Sequence, residues 1–171
     1  MNDDFERRIA AAADDSTVFT LEVSMKVQHL TGVRRFVDDL AQSLVHDIGM
    51  ASRVALATHE LLENAVKYAT DPRRRVTLQL CADEERRVQV TVINVSSQPL
   101  FLSLRELLQQ INQAPDPSAN YQRMIASSIE RELGSGLGLA RISAEGEMQL
   151  SCDFRGDLLS VTAQARMGAR P

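Results

Sequence analysis

From His59 to Ala69 the chain reads His-Glu-Leu-Leu-Glu-Asn-Ala-Val-Lys-Tyr-Ala, and far downstream it reads Gly134-Ser135-Gly136-Leu137-Gly138-Leu139. In the first stretch a carboxylate (Glu60), an amide (Asn64) and an ammonium (Lys67) recur at helical spacing, so a helix sets them along one face. That trio suits a phosphate-bearing ligand. A carboxylate orients or deprotonates an attacking hydroxyl or water, an amide oxygen is a hard ligand for Mg²⁺, and an ammonium offsets phosphate charge. The competing explanation is a solvated polar face on an ordinary core helix, with Glu60 and Asn64 simply i,i+4 neighbours. In the second stretch, glycines ahead of the apolar run Leu137 to Ile142 let backbone N–H groups at a helix start approach an anion closely. Without a Gly-Lys-Ser/Thr ending the stretch is not a P-loop, and a tight turn needing positive φ is the alternative.

These groups need elements to hold them. The opposite side of the first helix carries Ala51, Ala55, Thr58, Leu62, Ala65 and Ala69, an apolar flank for packing on a sheet. Gly49 punctuates before it and Asp71-Pro72 stops it, predicting a helix from about Ala51 to Tyr68. Upstream, Val18 to Val23 alternates as a strand, and Leu30 to Asp47 carries a wide apolar stripe as a helix. Downstream, Val76 to Cys81 and Val88 to Ile93 alternate on either side of the charged turn Asp83 to Arg87, predicting a hairpin. A helix near Ser103 to Asn112, a break at Pro115-Asp116-Pro117 and a helix near Tyr121 to Arg131 follow. A short helix from Leu137 to Ala144 then leads to a closing hairpin, in which Met148 to Phe154 and Leu159 to Ala163 alternate around Arg155-Gly156-Asp157. The expected fold is a two-layer α/β sandwich: a mixed, mostly antiparallel sheet covered on one face by helices.

Taken in order, Glu60-x-x-x-Asn64-Ala65 resembles the N box, and Gly134-x-Gly136-Leu137-Gly138-Leu139 the second glycine box, of the GHKL superfamily of gyrase, heat-shock chaperone, histidine-kinase and MutL ATPases. At this length the chain is most similar to the anti-sigma-factor serine kinases of bacterial partner-switching systems, over roughly residues 17 to 165. The resemblance implies the histidine kinase-like ATPase (Bergerat) fold, with ATP and Mg²⁺ as cofactors. It implies Glu60 as catalytic base, Asn64 as the Mg²⁺ ligand, and Lys67 with Gly134, Ser135, Gly136, Leu137, Gly138 and Leu139 around the phosphates. It also implies a lid over about residues 95–133, pairing as a homodimer, and a small protein partner, either a STAS-type antagonist or a sigma factor.

One box departs from the pattern. Where relatives carry Asp-x-Gly-x-Gly for adenine, this chain reads Asn94-Val-Ser96-Ser97-Gln98. Asn94 still offers an oxygen to the adenine amino group but is neutral, and charge-assisted hydrogen bonds are roughly twice as strong. The lost glycines put Cβ atoms where backbone passes the nucleotide. Some branches of the partner-switching kinases also lack the standard box, and the layout here of Asn, helix, Tyr-containing helix and glycine loop is similar to the SiaB-type branch. Loss of turnover, leaving a binding module that sequesters a protein partner, is the second reading.

Composition narrows the rest. The 171 residues, 44% hydrophobic and 25% charged, suffice for one domain over residues 17–171 behind a flexible leader at 1–16. The net charge of −4 and 4% aromatic content argue against nucleic acid, and no apolar run reaches membrane-spanning length. With no basic leader before an apolar stretch, the expected location is cytoplasmic. Arg73-Arg74-Arg75 and Arg86-Arg87 read as solvated loop charge, and Cys81 and Cys152 as reduced core thiols.

Overall fold

The computed structural model describes residues 17–24, 27–45, 47–71, 75–82, 87–128 and 136–166. The leader, the 83–86 turn, Gly134 and Ser135 lie outside them. In chain order come β1 (Thr17–Ser24), a 3₁₀ turn (Val27–His29), α1 (Leu30–Val45), α2 (Ile48–Tyr68), β2 (Arg75–Ala82), β3 (Arg87–Val95), α3 (Gln98–Asn112), α4 (Pro117–Ser128), α5 (Leu137–Ala144), β4 (Gln149–Arg155) and β5 (Leu158–Arg166).

The strands form one five-stranded sheet in the order β1-β2-β3-β5-β4. Every described strand pair is antiparallel, which corrects the expectation of a mixed sheet. Both hairpins lie where alternation predicts them. Val76, Leu78 and Leu80 of β2 and Val88, Val90 and Val92 of β3 are buried in the main core with α2 residues Val54, Leu61, Leu62 and Val66. Asn94 follows in the same row of β3, opposite Val76, so a polar side chain ends an apolar ladder on the helix-covered face. On the opposite face Ile93, Leu158 and Val95 form a small second cluster.

Several helix boundaries differ from expectation. The α2 helix begins at Ile48, so Gly49 lies inside its first turn rather than before it. The stop signal is Asp47, whose Oδ1 accepts a hydrogen bond from Met50 N at 3.0 Å and caps the helix. The preceding helix therefore ends by Val45, short of Asp47. The α3 helix begins at Gln98, five residues ahead of Ser103, because Pro99 in its first turn lacks an N–H that would have no partner there anyway. Asp116 starts α4 at Pro117, ahead of Tyr121, by accepting from Ala119 N at 2.9 Å.

The α3 helix is built into the molecule rather than laid over it. Leu108 and Ile111 are buried, and Phe101 stacks on Phe154 of β4 with centroids 5.4 Å apart. Asn112 grips the edge strand at both ends of its amide: Nδ2 donates to Leu150 O at 2.6 Å and Oδ1 accepts from Leu150 N at 3.3 Å. Asn112→Ala leaves both backbone groups of buried Leu150 unpaired, so urea unfolding is expected to register a loss of roughly 1–3 kcal/mol.

Candidate functional site

The α2 helix runs against β3, turning Leu61, Leu62, Ala65 and Val66 inward and leaving Glu60 and Asn64 half-buried on its flank. The first turn of α5 meets that flank. Glu60, only 12% exposed, places Oε1 3.2 Å from Arg141 Nη1. Its other oxygen, Oε2, lies where a Cβ on residue 138 would stand, so only glycine fits at Gly138 without moving the carboxylate. Gly136 has its own reason. Its φ of 63° is left-handed, and an added Cβ would strike Leu107 Cδ2. Gly136, the N-cap residue of α5, has no side chain to cap it, and among the described residues no capping oxygen meets the first amide groups of the helix.

Beside these residues a cavity of about 210 Å³ opens between α2, α3, α5 and the sheet. Leu61, Ala65, Val92, Leu104, Leu107, Leu139, Leu159 and Val161 give it mostly apolar walls, and Asn64, Asn94, Ser96, Ser103 and Gly136 give it polar points. Asn94 is 3% exposed, and its Nδ2 donates to Val95 O at 3.1 Å. Its amide donor is thus tied back to the chain. Ser96 Oγ is buried with no hydrogen-bond partner among the described residues, a cost unless a ligand or water supplies one. Ligand clefts usually measure about 300–1,000 Å³, so this cavity is sized for a ring system, with any charged tail emerging at its rim.

Of the residues singled out in the sequence, Asn64, Asn94, Gly136 and Leu139 line this one cavity, and Glu60 and Gly138 touch beside it. Leu137 is half-buried in the first turn of α5. Lys67 stands apart from the lining: it is exposed in the last turn of α2, with Nζ 5.3 Å from the Tyr68 ring centroid. A cation there also complements the helix dipole.

Sequence reasoning missed Arg141. Its Nε donates to Glu145 Oε2 at 2.8 Å while Nη1 reaches Glu60, so one guanidinium joins two carboxylates. The hydrogen bond to Glu145 chiefly holds its pKa above the ordinary arginine value, against partial burial, with the charges of Glu145 and Glu60 adding to it. The only signal in the sequence was a charge one turn beyond Gly138 in an apolar run. Among the thiols, half-buried Cys152 is free, and desolvation raises its pKa, opposed by Arg105 and helped by Asp153. The Cys81 side chain lies outside the description.

No protein-family model and no curated protein matches the chain. A solved structure does. The chain is similar to one in the crystal structure of the SiaB-SiaC complex from Pseudomonas aeruginosa. The TM-score is 0.70 over 96% of this chain and 98% of that one, at 13% sequence identity. At that identity the likeness establishes the fold and nothing finer. Among the described residues no helix is long and apolar enough to cross a membrane.

Proposed function

We propose that the chain is an ATP-binding regulatory kinase of partner-switching signalling, working in the bacterial cytoplasm on a serine or threonine of a small STAS-type antagonist protein. One observation carries the reading: a half-buried carboxylate, an amide and the uncapped start of a helix, supplied by distant segments, meet at the rim of a ring-sized apolar cavity. The fold shared with a chain of the two-protein SiaB-SiaC complex supports the choice of a protein partner.

The residues fit the nucleotide in specific ways. Asn94 keeps Oδ1 available as an acceptor once Nδ2 is tied to Val95, and the unpartnered Ser96 hydroxyl lies in the wall beside it. Two polar points in an apolar slot suit a purine edge. Among the described residues no group of three His, Cys, Asp or Glu side chains gathers to hold a metal. Asn64 Oδ1, a hard oxygen donor, would hold Mg²⁺, an ion that commonly keeps phosphate oxygens and water as its other ligands. The amides from Leu137 to Leu139, with Gly134 and Ser135 ahead of them, are assigned to phosphate. Bound Mg-ATP supplies the transferable γ-phosphoryl group and neutralises its developing charge. Glu60 orients the acceptor hydroxyl and takes its proton. Lys67 is assigned a longer-range role at the phosphate end.

A scaffold that has lost turnover is the second reading, favoured by neutral Asn94 in the adenine position and by a Glu60 already paired with Arg141. Thermal melting separates them at the first step. Ligand held only by the folded chain stabilises it by about 2.7 kcal/mol at a hundredfold excess over Kd, so Mg-ATP is expected to raise the midpoint by several degrees. An unchanged midpoint, together with no heat of binding in calorimetry, would leave only the scaffold.

A further inference from the structure

We infer that Arg141 is a positioning residue for Glu60, held in place in turn by Glu145; the inference rests on the kinase reading above. A glutamate side chain has three rotatable bonds, so an unrestrained carboxylate samples many placements relative to an acceptor hydroxyl. Here its freedom is removed from two sides. Arg141 Nη1 holds Oε1 at 3.2 Å, and Oε2 rests against the backbone of Gly138. The restraint comes from α5, the element whose first turn borders the cavity, and not from α2, which carries Glu60.

Arg141 is itself restrained. Its Nε donates to Glu145 Oε2 at 2.8 Å, one helical turn on, so the guanidinium plane is fixed before it reaches across to α2. A second charge pair, Arg53 Nη2 to Glu147 Oε2 at 2.8 Å, links α2 to the turn after α5 with the polarity reversed. The two cross-links tie α5 and the turn after it to the flank of α2. The outer pair, with Arg53 and Glu147 both partly exposed, stabilises little, so stability alone is a weak reason for the arrangement. Orientation of one nearly buried carboxylate is the stronger one.

The test is a set of variants measured three ways: transfer rate to the acceptor protein, Mg-ADP affinity by calorimetry, and thermal midpoint. Arg141→Gln is expected to slow transfer about 10–100-fold with Mg-ADP Kd within about threefold of wild type and the midpoint lowered by no more than a few degrees. Arg141→Lys restores part of the rate, and Glu145→Gln slows it less than Arg141→Gln does. Since Arg141 acts through Glu60, Glu60→Gln combined with Arg141→Gln is expected to transfer no more slowly than Glu60→Gln alone. In the melts, the same cycle is expected to show less loss in the double variant than in the two singles added together.

Multiplying rate losses in the double variant, or an Arg141→Gln enzyme as fast as wild type, overturns the positioning role while leaving the kinase reading intact. A wild-type chain that binds Mg-ADP but transfers to no acceptor overturns both.

Discussion

Glu60→Gln is expected to bind Mg-nucleotide as the wild type does and to transfer phosphate at least about a hundredfold more slowly. General-base assistance contributes typically 10²–10⁴-fold, and glutamine keeps the shape of the side chain while removing its basicity. Binding is spared because the cavity lining of Asn64, Asn94, Ser96 and Gly136 does not include Glu60. The fold is spared because the lost partner, Arg141, is 43% exposed and retains Glu145 and water. Single-turnover transfer to the acceptor protein, run alongside calorimetry with Mg-ADP, gives both quantities. A variant that transfers at the wild-type rate removes Glu60 from the chemistry, whereas one that no longer binds nucleotide means that Glu60 shapes the pocket instead.

Much of the framework was legible because the sheet writes itself in period two. The rows Val76-Leu78-Leu80 and Val88-Val90-Val92 are apolar at alternate positions and buried together, and the same row fixes the face on which Asn94 stands. Strand direction was another matter. Alternation identifies faces but not which strands run side by side, so the all-antiparallel order had to come from coordinates.

The misplaced helix starts share one cause. Gly49 and Pro117 were read as breaks and Pro99 was left outside its helix, but in a first turn the backbone N–H groups have no partner within the helix, and a residue that disrupts an interior is tolerated there. Starting α3 near Ser103 left Leu100 out of the site, where it lines the cavity with Leu104 and Leu107.

The site was only half legible because its decisive contacts are long-range. Glu60 and Asn64 share a helix, so their spacing is visible in the chain. Arg141 lies 81 residues from the carboxylate it holds, and no local rule links the two. Gly138 was singled out as part of the glycine stretch. Close approach to an anion was expected of that loop, and the anion the structure sets against Gly138 is the protein's own Glu60.

That contact makes Gly138→Ala the most informative single-atom change in the molecule. The added methyl would clash with Glu60 Oε2, and since Arg141 restrains the other oxygen, the carboxylate has to shift from its present place. The fold is expected to survive, with a loss of about 1–3 kcal/mol from overpacking, because the group that must give way is the end of a side chain rather than backbone. Transfer is expected to fall as far as in Glu60→Gln, with no further drop when the two changes are combined. Gly136→Ala supplies the contrast. There the methyl meets the flexible tip of Leu107 and strains a left-handed backbone at about 1–2 kcal/mol, yet nothing pushes on Glu60. Stability would thus suffer comparably in both variants, while only the alanine at 138 disables the base. If the two lost transfer equally, the glycines would matter for the shape of the helix start and not for the carboxylate, and the contact between Gly138 and Glu60 would be packing without chemical consequence.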